Sequence, residues 1–248
     1  MRRFMTTICL MLIAGTVFSA YPNWHFKDST FPYWRVTASG QWKFQTGVET
    51  DGLLWYRFLD DSNPTTDSSG NGYDGTVTGA TWIEATNGLA AYYDFDGAND
   101  RIQLAYNSTI NPNEAITVSA WYKQTGTPPS GDYGTIVELF GAAAYQQSFL
   151  LRQMTNGFIE ANINNLNANV TSLVENVVGE WNQWSLVYDK VSLRLYKNGI
   201  LQGTNAYTSN LYTNDTRPFS IGARYDAVNR ELYGEVWNVK ELGTAETT

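Results

Sequence analysis

Apolar and polar side chains alternate with a period of two along much of this 248-residue chain. Between Ile116 and Tyr122, residues Ile116, Val118, Ala120 and Tyr122 share one parity, and Thr117, Ser119 and Trp121 share the other. Successive side chains of a strand point to opposite faces, so this pattern marks a strand buried on one side. No segment sustains the three-to-four apolar spacing of an amphipathic helix. Short β-branched and aromatic runs instead recur between Gly, Asn, Asp and Pro. They predict strands over Leu53–Leu59, Ala90–Phe95, Ile116–Tyr122, Thr135–Leu139, Phe149–Arg152, Phe158–Ile163, Gln183–Tyr188, Ser192–Lys197, Phe219–Ile221 and Leu232–Val239. Asn198-Gly199 between two apolar runs favours a two-residue type I′ turn, so Ser192–Lys197 and Ile200–Gly203 are expected to pair as a hairpin. Many short strands separated by turn residues imply a two-sheet sandwich or a barrel.

The first fifty residues depart from this pattern. Arg2 and Arg3 precede an apolar run, Ile8–Phe18, that is too short to span a bilayer. Residues 1–19 therefore read as a secretory signal cleaved after Ser19, with an uncleaved membrane anchor as the alternative. In residues 20–50, Tyr21, Trp24, Phe26, Phe31, Tyr33, Trp34, Trp42 and Phe44 crowd a segment with few aliphatics. Trp34–Thr37 and Gln41–Phe44 are expected to form a hairpin around Ser39-Gly40. Such an extension either packs on the sandwich or docks the domain on a larger assembly.

Composition narrows the function classes. The single cysteine, Cys9, lies inside the apolar run, so a processed chain has neither a disulfide nor a thiol nucleophile. That suits a bacterial or viral exported protein. The formal net charge of −8 becomes −10 once Arg2 and Arg3 leave. An acidic surface argues against a nucleic-acid partner, which needs clustered Lys and Arg, and no membrane association is expected after signal removal. His25 is the only histidine, so a Ser-His-Asp triad or a zinc site would rest on it alone.

Two loops stand out. One is Asp67-Ser-Ser-Gly-Asn-Gly-Tyr-Asp-Gly-Thr76. The other is Tyr93-Asp-Phe-Asp-Gly-Ala-Asn-Asp-Arg-Ile-Gln-Leu104, a strand that breaks at a Gly and resumes. These stretches, with Leu54-Trp-Tyr-Arg-Phe58, Ile116-Thr-Val-Ser-Ala-Trp-Tyr122, Trp184-Ser-Leu-Val-Tyr188, Leu195-Tyr-Lys-Asn-Gly199 and Phe219-Ser-Ile-Gly-Ala223, follow one another in a familiar order. Over residues 53–239 the chain resembles the LamG-like branch of the concanavalin A-like lectin/glucanase superfamily. The resemblance implies an all-β, two-sheet antiparallel jelly-roll sandwich, here assigned to residues 51–248. Such domains mostly bind glycans, proteins or matrix components, often beside a structural calcium, and some relatives are glycosidases. The closing strand departs from the family: Trp237 and Asn238 stand where two acids are expected.

Three chemistries find candidate residues in this sequence. Asp67, Ser69, Asn71 and Gly72 mimic the start of an EF-hand loop, but the twelfth position is Thr78 and not the required Glu. A jelly-roll calcium site would instead draw on Asp67, Asn71, Asp96 and Asp100, the rival role of these residues being to stabilise turns. Glycoside hydrolysis needs two carboxyl groups across the scissile bond. The Glu-x-Asp-x-Glu run of the laminarinase-like relatives is absent, and Glu138, Glu160, Glu175 and Glu180 stand singly. Sugar binding needs aromatic platforms with polar partners, for which Trp121, Tyr133, Tyr145, Arg152, Tyr225 and Trp237 are the candidates. Asn107, Asn169 and Asn214 head glycosylation sequons, which matter only in a eukaryotic secretory path. The reading is an exported, non-catalytic module for surface glycans or glycoproteins. The alternative is a structural or decoration protein of a virion or cell-surface assembly attached through residues 20–50.

Overall fold

In the computed structural model, the described residues are 33–36, 42–45, 52–86, 90–129, 133–140, 147–213, 217–226 and 230–246. Among them the strands are, in chain order, β1 (Tyr33–Val36), β2 (Trp42–Gln45), β3 (Leu54–Tyr56), β4 (Thr76–Thr78), β5 (Thr81–Ile83), β6 (Tyr92–Asp96) and β7 (Arg101–Leu104). Then come β8 (Ile116–Gln124), β9 (Tyr133–Phe140), β10 (Gln147–Met154), β11 (Ile159–Ile163), β12 (Ala168–Thr171) and β13 (Trp181–Tyr188). The series ends with β14 (Ser192–Lys197), β15 (Ile200–Ala206), β16 (Phe219–Ile221) and β17 (Tyr233–Leu242). One 3-10 turn, Ser108–Ile110, is capped by Asn107, whose Oδ1 accepts from the Thr109 N–H at 2.9 Å. Among the described residues no helix is long and apolar enough to cross a membrane.

Two large antiparallel sheets face each other. One runs β12-β11-β10-β9-β16-β7-β4. The other runs β15-β14-β13-β8-β17-β6-β5, with β3 also paired to β17. The fold class is the all-β sandwich read from the sequence. The alternation in β8 is realised: Ile116, Val118, Ala120 and Tyr122 are fully buried, and Ala120 and Val118 sit opposite the equally buried Trp184 and Leu186 of β13. The core lies between the sheets and is strongly aromatic, with Tyr56, Phe58, Tyr93, Phe95, Phe149, Trp184, Tyr188 and Phe219 nearly or wholly sealed from solvent. The Tyr122 hydroxyl crosses the core to bond Gln153 Oε1 on the facing sheet.

Local turn chemistry sets several connections. Asn198 and Gly199 take φ of +51° and +77°, the pair of positive angles that a type I′ turn requires, and β14 and β15 form the expected hairpin. The break at Gly97 carries the chain from one sheet to the other: β6 pairs with β17, and β7 pairs with β16. The expected strand Leu53–Leu59 is shorter, ending at Tyr56 before Phe58 takes φ of +55°. The strands β4, β5 and β12 were not anticipated. They are three or four residues long, Thr-rich or small, and lie at sheet edges, where the pairing partner and not local pattern defines them. The expected N-terminal hairpin is present as β1 and β2, with Trp34 opposite Phe44. The signal segment, Cys9 and His25 lie outside the described residues.

Candidate functional site

The outer face of the seven-stranded sheet gathers the most unusual chemistry. Val137, Leu139, Phe149, Leu151, Phe219 and Ile221 point into the core. By the period of two, their neighbours point outward: Glu138 on β9, Leu150 and Arg152 on β10, and Ser220 on β16. The register continues the row. Glu138 is opposite Leu150 and Ser220, Leu150 is opposite Asn162, and Arg152 is opposite Glu160. A register shift between Leu151 and Arg152 brings Thr135 opposite Arg152, and Tyr133 then falls opposite Met154.

The segment after β16 folds over this face. The Tyr225 N–H donates to Glu138 Oε1 at 2.8 Å, and the Tyr225 carbonyl accepts from Gln103 Nε2 at 2.8 Å. The Tyr225 ring lies 5.1 Å from that of Phe140, centroid to centroid. Four guanidinium groups surround the two tyrosines. Arg152 and Arg230 lie 4.3 and 4.5 Å from the Tyr133 ring centroid, and Arg217 and Arg224 lie 4.8 and 5.8 Å from that of Tyr225. Each distance falls within cation–π range. Arg152 pairs with Glu160 at 2.5 Å, and Arg224 pairs with Asp226 through two bonds of 2.8 and 2.7 Å.

Burial shapes the electrostatics of this face. Glu138 is completely covered, which pushes its carboxyl from the ordinary 4.5 up to about 8, although the Tyr225 N–H and Arg224 pull the other way. It is therefore neutral at physiological pH. Several buried polar atoms of this face have no hydrogen-bond partner: Glu138 Oε2, Thr135 Oγ1, Arg152 Nε, Asn162 Oδ1 and Arg217 Nε. Buried polar groups are normally satisfied, by protein or ordered water; unpartnered atoms also occur away from this face, at Gln124, Asn176, Gln202 and Glu241 among others.

The sequence candidates sort themselves on this framework. Tyr133, Arg152 and Tyr225 come together here. Trp121 and Trp237 stack on each other, 5.5 Å between centroids, on the outer face of the other sheet, where β8 pairs with β17. Tyr145 lies outside the described residues. Arg217, Arg224, Arg230 and Glu138 share this face and are not among the sugar-binding candidates read from the sequence. A signal for them was available in the clustering of three of the ten arginines between residues 217 and 230.

Of the residues considered for calcium, Asp67, Asp96 and Asp100 accept hydrogen bonds from neighbouring backbone N–H groups, and Asn71 donates. Asp67 Oδ1 accepts from the Trp55 and Ser69 N–H groups, and Oδ2 accepts from Ser69 Oγ and the Tyr73 N–H, at 2.7–3.1 Å. Asn71 Nδ2 donates to the Gly52 and Leu53 carbonyls. Asp96 Oδ1 accepts from the Ala98 N–H, and Asp100 Oδ2 from the Asp96 N–H. Among the described residues no three His, Cys, Asp or Glu side chains are gathered as for a metal ion.

An antiparallel two-sheet sandwich with a polar, loop-covered outer face defines a lectin-like jelly roll. A family model described as the concanavalin A-like lectin/glucanases superfamily (Laminin_G_3) matches residues 96–243, and the chain belongs to that family. No curated protein sequence matches the chain. Among solved structures, it is similar to domain 4 of an extracellular arabinanase from Geobacillus stearothermophilus, in complex with arabinotriose. That match has a TM-score of 0.59 and 16% identity, and covers 79% of this chain and 94% of the other. It is also similar to the binding domain of Paraclostridial Mosquitocidal Protein 1, with a TM-score of 0.61 and 14% identity, over 80% of this chain and 50% of the other. A mutant of Trypanosoma rangeli sialidase displaying trans-sialidase activity matches with a TM-score of 0.62 and 12% identity, over 82% of this chain and 32% of the other. At these identities the likeness establishes the fold.

Proposed function

We propose that this chain is an exported, non-catalytic glycan-binding module whose site is the outer face of the seven-stranded sheet around Tyr133, Arg152 and Tyr225. The observation that carries the reading is the meeting of two tyrosine rings with four guanidinium groups on one sheet face. A sugar lays its apolar face on an aromatic ring and offers hydroxyls to fixed donors such as these. The arabinotriose complex among the structural neighbours supports the class of ligand. Hydrolysis is disfavoured by the site itself. Glu138 is sealed beneath the Tyr225 segment and Glu160 is held by Arg152, so neither is free to protonate or attack a glycosidic bond.

The test is a glycan array and a panel of polysaccharide pull-downs, run with and without calcium, using the full chain and Tyr225→Ala. Retention that falls about tenfold or more in the variant supports the reading. No retention on any glycan under either condition removes it. Attachment to a surface or virion assembly is the second reading. It is favoured by β1 and β2 pairing with each other and with no strand of either large sheet among the described residues. Deleting residues 20–50 separates the two, because glycan binding would survive and assembly would not.

A further inference from the structure

We propose that the sugar bound at this face is anionic, its carboxylate or sulfate taken by Arg217 against the Tyr225 ring. This inference rests on the glycan-binding reading and specifies its ligand. The chain is acidic, with 24 Asp and Glu against 16 Lys and Arg, yet four of its ten arginines meet around two tyrosine rings. Two of the four are neutralised in place, Arg152 by Glu160 and Arg224 by Asp226. Arg217 forms no ion pair among the described residues, and its buried Nε lacks a partner.

A half-buried guanidinium with no counter-charge among the described residues is a place where an anion can be taken up. Its planar fork matches the two oxygens of a carboxylate or sulfate, and stacking on a ring holds that fork in one orientation. The Arg217 guanidinium lies over the Tyr225 ring, 4.8 Å from its centroid. Burial pushes Glu138, which accepts from the Tyr225 N–H, up to about 8, so its protonated form is favoured at neutral pH and it opposes an incoming anion less than a carboxylate would. A neutral sugar would use hydroxyl partners and would leave this cation uncompensated.

The experiment compares affinity of the full chain for polygalacturonate, dextran sulfate, unmodified dextran and arabinan, with Tyr225→Ala, Arg217→Ala, Arg217→Lys and Arg57→Ala. Tight binding to an acidic polymer is expected, weakened about tenfold or more by Arg217→Ala and partly restored by Arg217→Lys. Arg57→Ala removes the same charge near Trp55 and is expected to change nothing. Binding of polygalacturonate alone assigns a carboxylate, and of dextran sulfate alone a sulfate. Equal binding of neutral polymers, sensitive to Tyr225→Ala and unchanged by Arg217→Ala, overturns the anionic ligand and leaves the glycan reading standing. No binding to any polymer overturns both. Melting curves establish that each variant is folded.

Discussion

Glu138→Gln is expected to stabilise the protein, and to do so in a pH-dependent way. In the folded chain the carboxyl titrates near 8, whereas the ordinary value is 4.5. Below 4.5 the group is protonated in both states and contributes no difference. Between 4.5 and 8 the unfolded chain releases a proton that the folded chain retains, so stability falls as pH rises. The slope is about 1.4 kcal/mol per pH unit, which gives a loss of about 3 kcal/mol by neutral pH and about 5 kcal/mol above pH 8. Glutamine keeps an oxygen for the Tyr225 N–H and never ionises. Wild type and variant should therefore have equal stability near pH 4.5 and diverge by about 3 kcal/mol at neutral pH, the glutamine form being the more stable. Urea unfolding at several pH values across this range measures the difference directly. A gap that does not change with pH, or a glutamine variant that is less stable at neutral pH, would refute the argument. The same variant should retain glycan binding, since the residue is already neutral where binding is assayed.

Glu241 extends the logic to the core. It sits opposite Leu54 and Val118, fully buried with neither carboxyl oxygen bonded, and burial raises its pKa well above the ordinary value. Glu241→Leu is expected to add roughly 2–4 kcal/mol at neutral pH, with the gain shrinking toward pH 4.5; a gain that persists undiminished in acid would point to packing alone. Arg152→Ala leaves Glu160 buried without its cation and should cost about 3–5 kcal/mol, while Arg152→Met combined with Glu160→Leu should recover most of that loss in urea unfolding. The Asp67, Asn71, Asp96 and Asp100 turns are closed by hydrogen bonds from the chain itself, so Tm is expected to be unchanged by a chelator. A fall in Tm that added calcium reverses would refute this expectation.

The parts of the fold legible in the sequence are those governed by neighbours in the chain. Asn198-Gly199 specifies its turn through two positive φ angles, and the alternation from Ile116 to Tyr122 specifies which face of β8 is buried. By contrast β4, β5 and β12 are strands only because a partner lies beside them, and their Thr, Asn and small residues carry no pattern strong enough to announce it. The same limit governs the site. Tyr133, Arg152 and Tyr225 were recognisable one by one as amphipathic side chains, but nothing local joins them. They meet because β16 inserts between β9 and β7, bringing residue 220 beside residue 138 and residue 103. Trp121 and Trp237 look equivalent in composition, yet the β8–β17 pairing commits them to the opposite sheet.

Glu138 shows most clearly where parity stops being informative. In Ile136-Val137-Glu138-Leu139-Phe140, alternation places the single acid away from the core, and for an ordinary edge of a sandwich that means contact with water. Here the outward face is covered by the segment carrying Tyr225, so the acid is outward and buried at once. A carboxyl that costs about 3 kcal/mol at neutral pH is a large burden for a domain stabilised by only ~5–15 kcal/mol. Replacement by glutamine is sterically trivial. The Tyr225 N–H occupies Oε1, and Oε2 has no partner among the described residues. Asn162 Oδ1, across Leu150 on the same row, is likewise buried without a partner. Glutamine would keep an oxygen for the Tyr225 N–H, which is why Glu138→Gln separates the energetic cost of the acid from the hydrogen bond it accepts.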